Sequence, residues 1–184
     1  MSRAILLTAL FFCIVGGQVL AADMPASPYA GQQARAIKAL SDDDNSALRK
    51  GEGMGMAKAA ELNGYPGPVH VLALAEQLGL TDTQQRQVTA IFERMSAAAK
   101  PLGAELITHE QILDQLFAKG EITPDRLTAE TTVIAELQGR LRSVHLGAHL
   151  ETRASLNPDQ IARYEQLRGY GQSQAPVQHH HHDG

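Results

Sequence analysis

Residues 81–119 read TDTQQRQVTAIFERMSAAAKPLGAELITHEQILDQLFAK, and the spacing of their apolar side chains decides the fold. Val88, Phe92, Met95, Ala99, Leu102, Leu106, Leu113 and Leu116 follow one another in alternating steps of four and three, with His109 in the one place where the series is not apolar. Such steps keep side chains on one face of a helix, so the stretch predicts a long helix with a coiled-coil-like seam. Thr81 can cap its first turn through the side-chain oxygen. Pro101 has no N–H to give and its ring crowds the preceding turn, which predicts a kink near residues 97–101 but not the end of the helix.

Gly120 closes this helix, and Thr123-Pro124-Asp125 opens the next, because threonine caps and proline suits the first helical position. Leu127, Ile134, Leu137, Leu141, Val144 and Ala148 carry the apolar stripe onward. A connection this short makes the two helices antiparallel. Each can run ~45 Å at about 1.5 Å per residue. That is long and thin for one monomer to cover, so a second copy is expected to pack against it as a homodimer. Pro68 starts a helix through Leu78, stopped by Gly79, and Asn157-Pro158 starts a last one to about Arg168. The fold class is all-α: a long antiparallel helical hairpin with short flanking helices. Composition agrees, since aromatic content is 4% with no tryptophan, and no window alternates as a strand would.

The first residues have the three parts of a secretory signal: Arg3, an apolar run from Ala4 to Val15, and small residues at Val19-Leu20-Ala21 that predict cleavage after Ala21, with Ala22 as the neighbouring choice. An uncleaved anchor fits less well, because the apolar run is shorter than the ~20 residues that span a bilayer. The expected location is the periplasm. Residues 22–67 read as a flexible, partly helical region: Gln32 to Leu40 and Met56 to Leu62 as short helices, Ser41 capping Asp42-Asp43-Asp44, and Gly51, Gly53 and Gly55 as a mobile joint. Residues 68–170 form the helical domain, and 171–184 a polar tail expected to be disordered.

Cys13, the only cysteine, lies in the signal segment, and Leu10-Phe11-Phe12 before it lack the small residue of a lipid-attachment site. The exported chain therefore has no disulfide, thiolate metal site or cysteine nucleophile. Sixteen basic residues against twenty acidic ones give a net charge of −4, and loss of Arg3 takes it to −5. Nucleic acid is not an expected partner.

Two pieces of the chain share a pattern: Leu80-Thr81-Asp82-Thr83-Gln84 and Leu156-Asn157-Pro158-Asp159-Gln160. In each, a capping residue precedes an acidic first turn and a glutamine three places on that can bond back to the cap's own N–H. Leu156 can also staple against Ile161. On these residues the chain resembles the Spy/CpxP family of periplasmic proteins, marked by a repeated LTxxQ motif flanking a long helical hairpin. The first copy matches in full, and the second has Asn157 in place of threonine, a change that preserves capping. The resemblance spans roughly Leu72 to Tyr170. It implies a cradle-shaped antiparallel dimer acting as an ATP-independent chaperone, as an inhibitor of envelope-stress sensor kinases, or as a heavy-metal sensor. The implied partners are unfolded periplasmic proteins or a membrane sensor-kinase domain. Tyr29 to Pro68 is unlike the basic N-terminal region of the chaperone members.

His145 and His149 stand four apart on one helix face, where both imidazoles can reach one metal ion. The hairpin brings them toward the entry of the Pro68–Leu78 helix, so His70 is a third candidate, while His109 belongs to the opposite end. Against this, each histidine can instead be bonded to a carboxylate such as Glu151 or to backbone. The tail's His179, His180, His181 and His182 would bind zinc, copper or nickel weakly. Met54 and Met56 offer thioethers to Cu(I), although packing explains them as well. No organic cofactor is implied. The chain has no Gly-x-Ser-x-Gly elbow and no His-Glu-x-x-His pair, and it is not read as an enzyme.

Overall fold

A computed structural model describes residues 26–170, so the signal segment and the histidine tail from residue 171 lie outside the described residues. Residues 26–33 belong to a separate unit and form turns, with the Ala30 N–H on the Ser27 carbonyl at 2.9 Å. The second unit, from Ala34 on, contains the helices α1 (Asp42–Lys50), α2 (Lys58–Glu61), α3 (Pro68–Ala73), α4 (Asp82–Ala118), α5 (Pro124–Ala154) and α6 (Pro158–Leu167). No β-strand occurs among the described residues.

The helix starts follow capping chemistry. Ser41, Thr81, Thr123 and Asn157 each accept an N–H from the third residue of their helix, and three of these form full capping boxes. α4 runs 37 residues with Pro101 inside it, so the proline does not end the helix, and α5 runs 31. Much of the seam read from the sequence is buried: Met95, Ala99, Leu102 and Leu106 of α4 pack in clusters with Ile134, Leu137, Leu141 and Ala148 of α5. At the open end of the hairpin, Val71, Leu78, Leu80, Val88, Leu156 and Tyr164 close the base of the molecule.

Three short elements depart from expectation. Gln32 to Leu40 keeps only a 3-10 turn at Gln32–Ala34, because Ile37 and Leu40 pair across a tight turn instead of continuing a helix. α2 is four residues long, since Met54 and Gly55 sit at positive φ (45° and 77°) just before it and Gly64 (φ 77°) follows. α3 stops at Ala73, after which turns carry Leu78 and Leu80 into the base cluster.

Residues 34–67 lie along the hairpin as a strap. Lys38 pairs with Asp114 at 3.3 Å, Leu48 enters the seam, Gly51 approaches Ala99, and the Tyr65 carbonyl reaches His149. Part of the thin hairpin is thus covered by the chain's own residues 34–67.

Candidate functional site

The two LTxxQ-type motifs meet at the base of the hairpin. Gln84 Nε2 donates to Gln160 Oε1 at 2.8 Å, and Gln160 Nε2 donates to Gln84 Oε1 at 3.1 Å. Each Oε1 also accepts the cap's N–H, from Thr81 at 3.1 Å and from Asn157 at 3.0 Å. Gln84 Nε2 further reaches the Ser155 carbonyl at 3.0 Å, and Gln160 Nε2 the Leu78 carbonyl at 3.4 Å. Both amides are therefore used twice over: as the returning arm of a capping box and as half of a reciprocal amide pair. Glutamate would serve the first role but not the second, having no N–H to donate. The sequence showed the capping and not the pairing.

Beside this clamp, Glu61 of α2 gathers polar groups from distant parts of the chain. It accepts from Tyr164 Oη at 2.5 Å, from Tyr170 Oη at 3.0 Å and from the Gly67 N–H at 3.2 Å. Arg168 Nε lies 3.4 Å away, at ion-pair distance but without hydrogen-bond alignment. Burial and the Glu61 carboxylate push the Tyr164 phenol well above its ordinary range. No local pattern singles out Glu61, because its tyrosine partners lie 103 and 109 residues away.

A cavity of about 580 Å³ opens between the glycine joint and the hairpin, and His70, His145 and His149 all line it, with Met54, Met95 and Glu61. Their states differ. His149 Nδ1 is 2.7 Å from the Tyr65 carbonyl; a carbonyl can only accept, so Nδ1 carries a proton, and Nε2 lies beside Gly67. Glu61 Oε2 is 3.7 Å from the same Nδ1. His145 is 3% exposed, stacks against Gly53, and has no partner for Nε2. Burial, with the nearby His149, holds its imidazolium pKa below the ordinary value. His70 stays on the exposed edge of α3; surrounding protein and Arg168 lower its pKa as well.

His70, His145 and His149 line one cavity, yet they do not stand as a ligand set. Among the described residues no three His, Cys, Asp or Glu side chains are arranged to hold a metal ion. The reason is that His145 is turned into packing and His149 is engaged with backbone, as the competing interfacial reading allowed. Glu151, offered there as a carboxylate partner, pairs instead with Arg94. His109 lies away from this cavity and bridges α4 to α5 through Glu130 at 2.8 Å. His179, His180, His181 and His182 are outside the described residues.

Toward its closed tip the hairpin loses its cover. Ile112, Phe117 and Leu127 are 36%, 57% and 39% exposed there, among charged neighbours such as Lys119, Glu121 and Arg126. No described helix is long and apolar enough to cross a membrane.

A long antiparallel helical hairpin closed by two paired capping motifs defines an LTxxQ-type protein. The model of the LTXXQ motif family matches residues 70–168, and the chain belongs to that family, the family of Spy/CpxP-like periplasmic proteins. No curated protein and no solved structure was found to match the chain.

Proposed function

We propose that this protein is a periplasmic, ATP-independent holding chaperone or envelope-stress adaptor that works as a homodimer, by binding and not by catalysis. The observation that carries this is the uncovered tip of the hairpin, where Ile112, Phe117 and Leu127 remain in solvent. Apolar side chains rimmed by charge suit transient contact with an unfolded chain or with a sensor domain. The test is light scattering of reduced, aggregating α-lactalbumin with the purified protein at equal molar ratio and no nucleotide. Suppressed scattering is expected; unchanged scattering would refute the chaperone version.

A second reading, heavy-metal binding, is favoured by one observation: the His149 Nδ1–H donates to the Tyr65 carbonyl, the usual way a histidine that ligates through Nε2 is oriented. Zinc, copper or nickel would then need His145 to turn toward it, with the tail histidines as additional ligands. Calorimetry with and without residues 179–184, and with His145→Ala/His149→Ala, tests this. A tight site that survives tail removal and is lost in the double variant is expected; unchanged affinity in that variant would sink it.

A further inference from the structure

The cavity between the glycine joint and the hairpin, about 580 Å³ in volume, has the size of a small-molecule site and three features that packing alone leaves unexplained. Met54 is the first. It holds φ 45°, the only positive φ outside glycine among the described residues, although Gly53 and Gly55 stand on either side to take such a turn. Its side chain lines the cavity and is 42% exposed, so burial does not offset the strain. The second is His145. Its ring, packed against Gly53, still borders the cavity, is 3% exposed and has an Nε2 without a hydrogen-bond partner. A buried ring nitrogen left unpaired is costly unless something else supplies the bond. The third is charge. Around the cavity Lys50 and Lys58 stand against Glu52 and Glu61, so these side chains carry no net charge to draw an ion.

We propose that this cavity binds a small, neutral aromatic compound carrying a hydroxyl group, its ring held among Met54, Phe92 and Met95 and its hydroxyl bonded to His145. Aromatic rings pack favourably on thioether sulfur and on other rings, and two flexible methionines, one on the joint and one on α4, adapt to the outline of the guest. Burial keeps His145 neutral, and a hydroxyl, which both donates and accepts, satisfies a neutral imidazole in either tautomer. A carboxylate would give up its hydration here and face Glu61, which already accepts from Tyr164, Tyr170 and the Gly67 N–H. The site depends on neither the chaperone reading nor the metal reading.

Titration of the full chain with β-naphthol at neutral pH, in EDTA so that no metal takes part, tests it. The chain has no tryptophan, so naphthol fluorescence is read against little background. One site per chain is expected, with β-methylnaphthalene, which has a methyl in place of the hydroxyl, and β-naphthoate each bound about tenfold more weakly. Met54→Gly suits the left-handed turn, so that variant should resist urea as the parent does yet hold β-naphthol and β-methylnaphthalene both more weakly. His145→Phe, with its helices checked by circular dichroism, should bind β-naphthol no better than β-methylnaphthalene. Absence of saturable β-naphthol binding, no preference for the hydroxyl in the parent, parental affinity in Met54→Gly, or a preference that survives in His145→Phe would each overturn the proposal.

Discussion

Replacing Gln160 with glutamate separates the two jobs of the motif. In Gln160→Glu, the side-chain oxygen that accepts the Asn157 N–H is kept, so the start of α6 remains capped. The donor is lost, leaving the Leu78 carbonyl without its 3.4 Å partner and setting a carboxylate oxygen against Gln84 Oε1, where the amides now meet at 3.1 Å. The position is 7% exposed, so water offers little compensation. A buried acceptor stripped of its donor costs ~1–3 kcal/mol, and the opposed oxygens add to it, for a loss of about 2–4 kcal/mol. The introduced carboxyl regains a proton to donate when neutral, so its folded-state pKa should lie above the unfolded value of ~4.3. The deficit relative to the parent is therefore full at about pH 7.5 and shrinks as pH falls toward ~4. Urea unfolding followed by circular dichroism at several pH values measures it. A deficit under ~0.5 kcal/mol near neutrality, or one that does not narrow in acid, would refute the amide-pair account.

Other perturbations test the neighbouring elements. His145 has a depressed folded pKa, so the unfolded chain binds more protons and stability falls as pH drops below the ordinary histidine value of ~6.5; His145→Leu should flatten urea midpoints over that range, and an unchanged slope would remove His145 from the acid response. Glu61→Gln should cost about 1–3 kcal/mol, because a carboxylate that accepts from two tyrosines and a backbone N–H becomes a neutral amide. The same change should bring Tyr164 ionisation back toward the ordinary phenol range, read by alkaline absorbance titration; a Tyr164 that stays above that range would show that burial alone sets it.

What the sequence revealed was local or periodic. Of the four-three series, Val88, Met95, Ala99, Leu102 and Leu106 are buried and Phe92, Leu113 and Leu116 half-buried, and Ser41, Thr81, Thr123 and Asn157 all cap as their side chains allow. The strap was not legible because only Ile37 and Leu48 anchor it in the hairpin's apolar cluster, too few for a period, and its closest contact is backbone against Gly103. Gly103 inside a helix could have hinted at such an approach, since glycine costs ~1 kcal/mol there relative to alanine. His145 and His149 share a cavity as their spacing indicated, yet spacing cannot tell a ring turned into packing from one turned toward a ligand. Glu61 left no trace in the sequence because every partner that matters, apart from Gly67, comes from α5 or the chain beyond it.

As proposed, this LTXXQ-family hairpin binds unfolded polypeptide without nucleotide, and equilibrium binding of labelled, reduced α-lactalbumin measures that interaction. Saturable binding that weakens when Phe117→Ser and Leu127→Ser are introduced at the exposed tip is the predicted result. Absence of saturable binding by the intact protein, or binding indifferent to both substitutions, would contradict it.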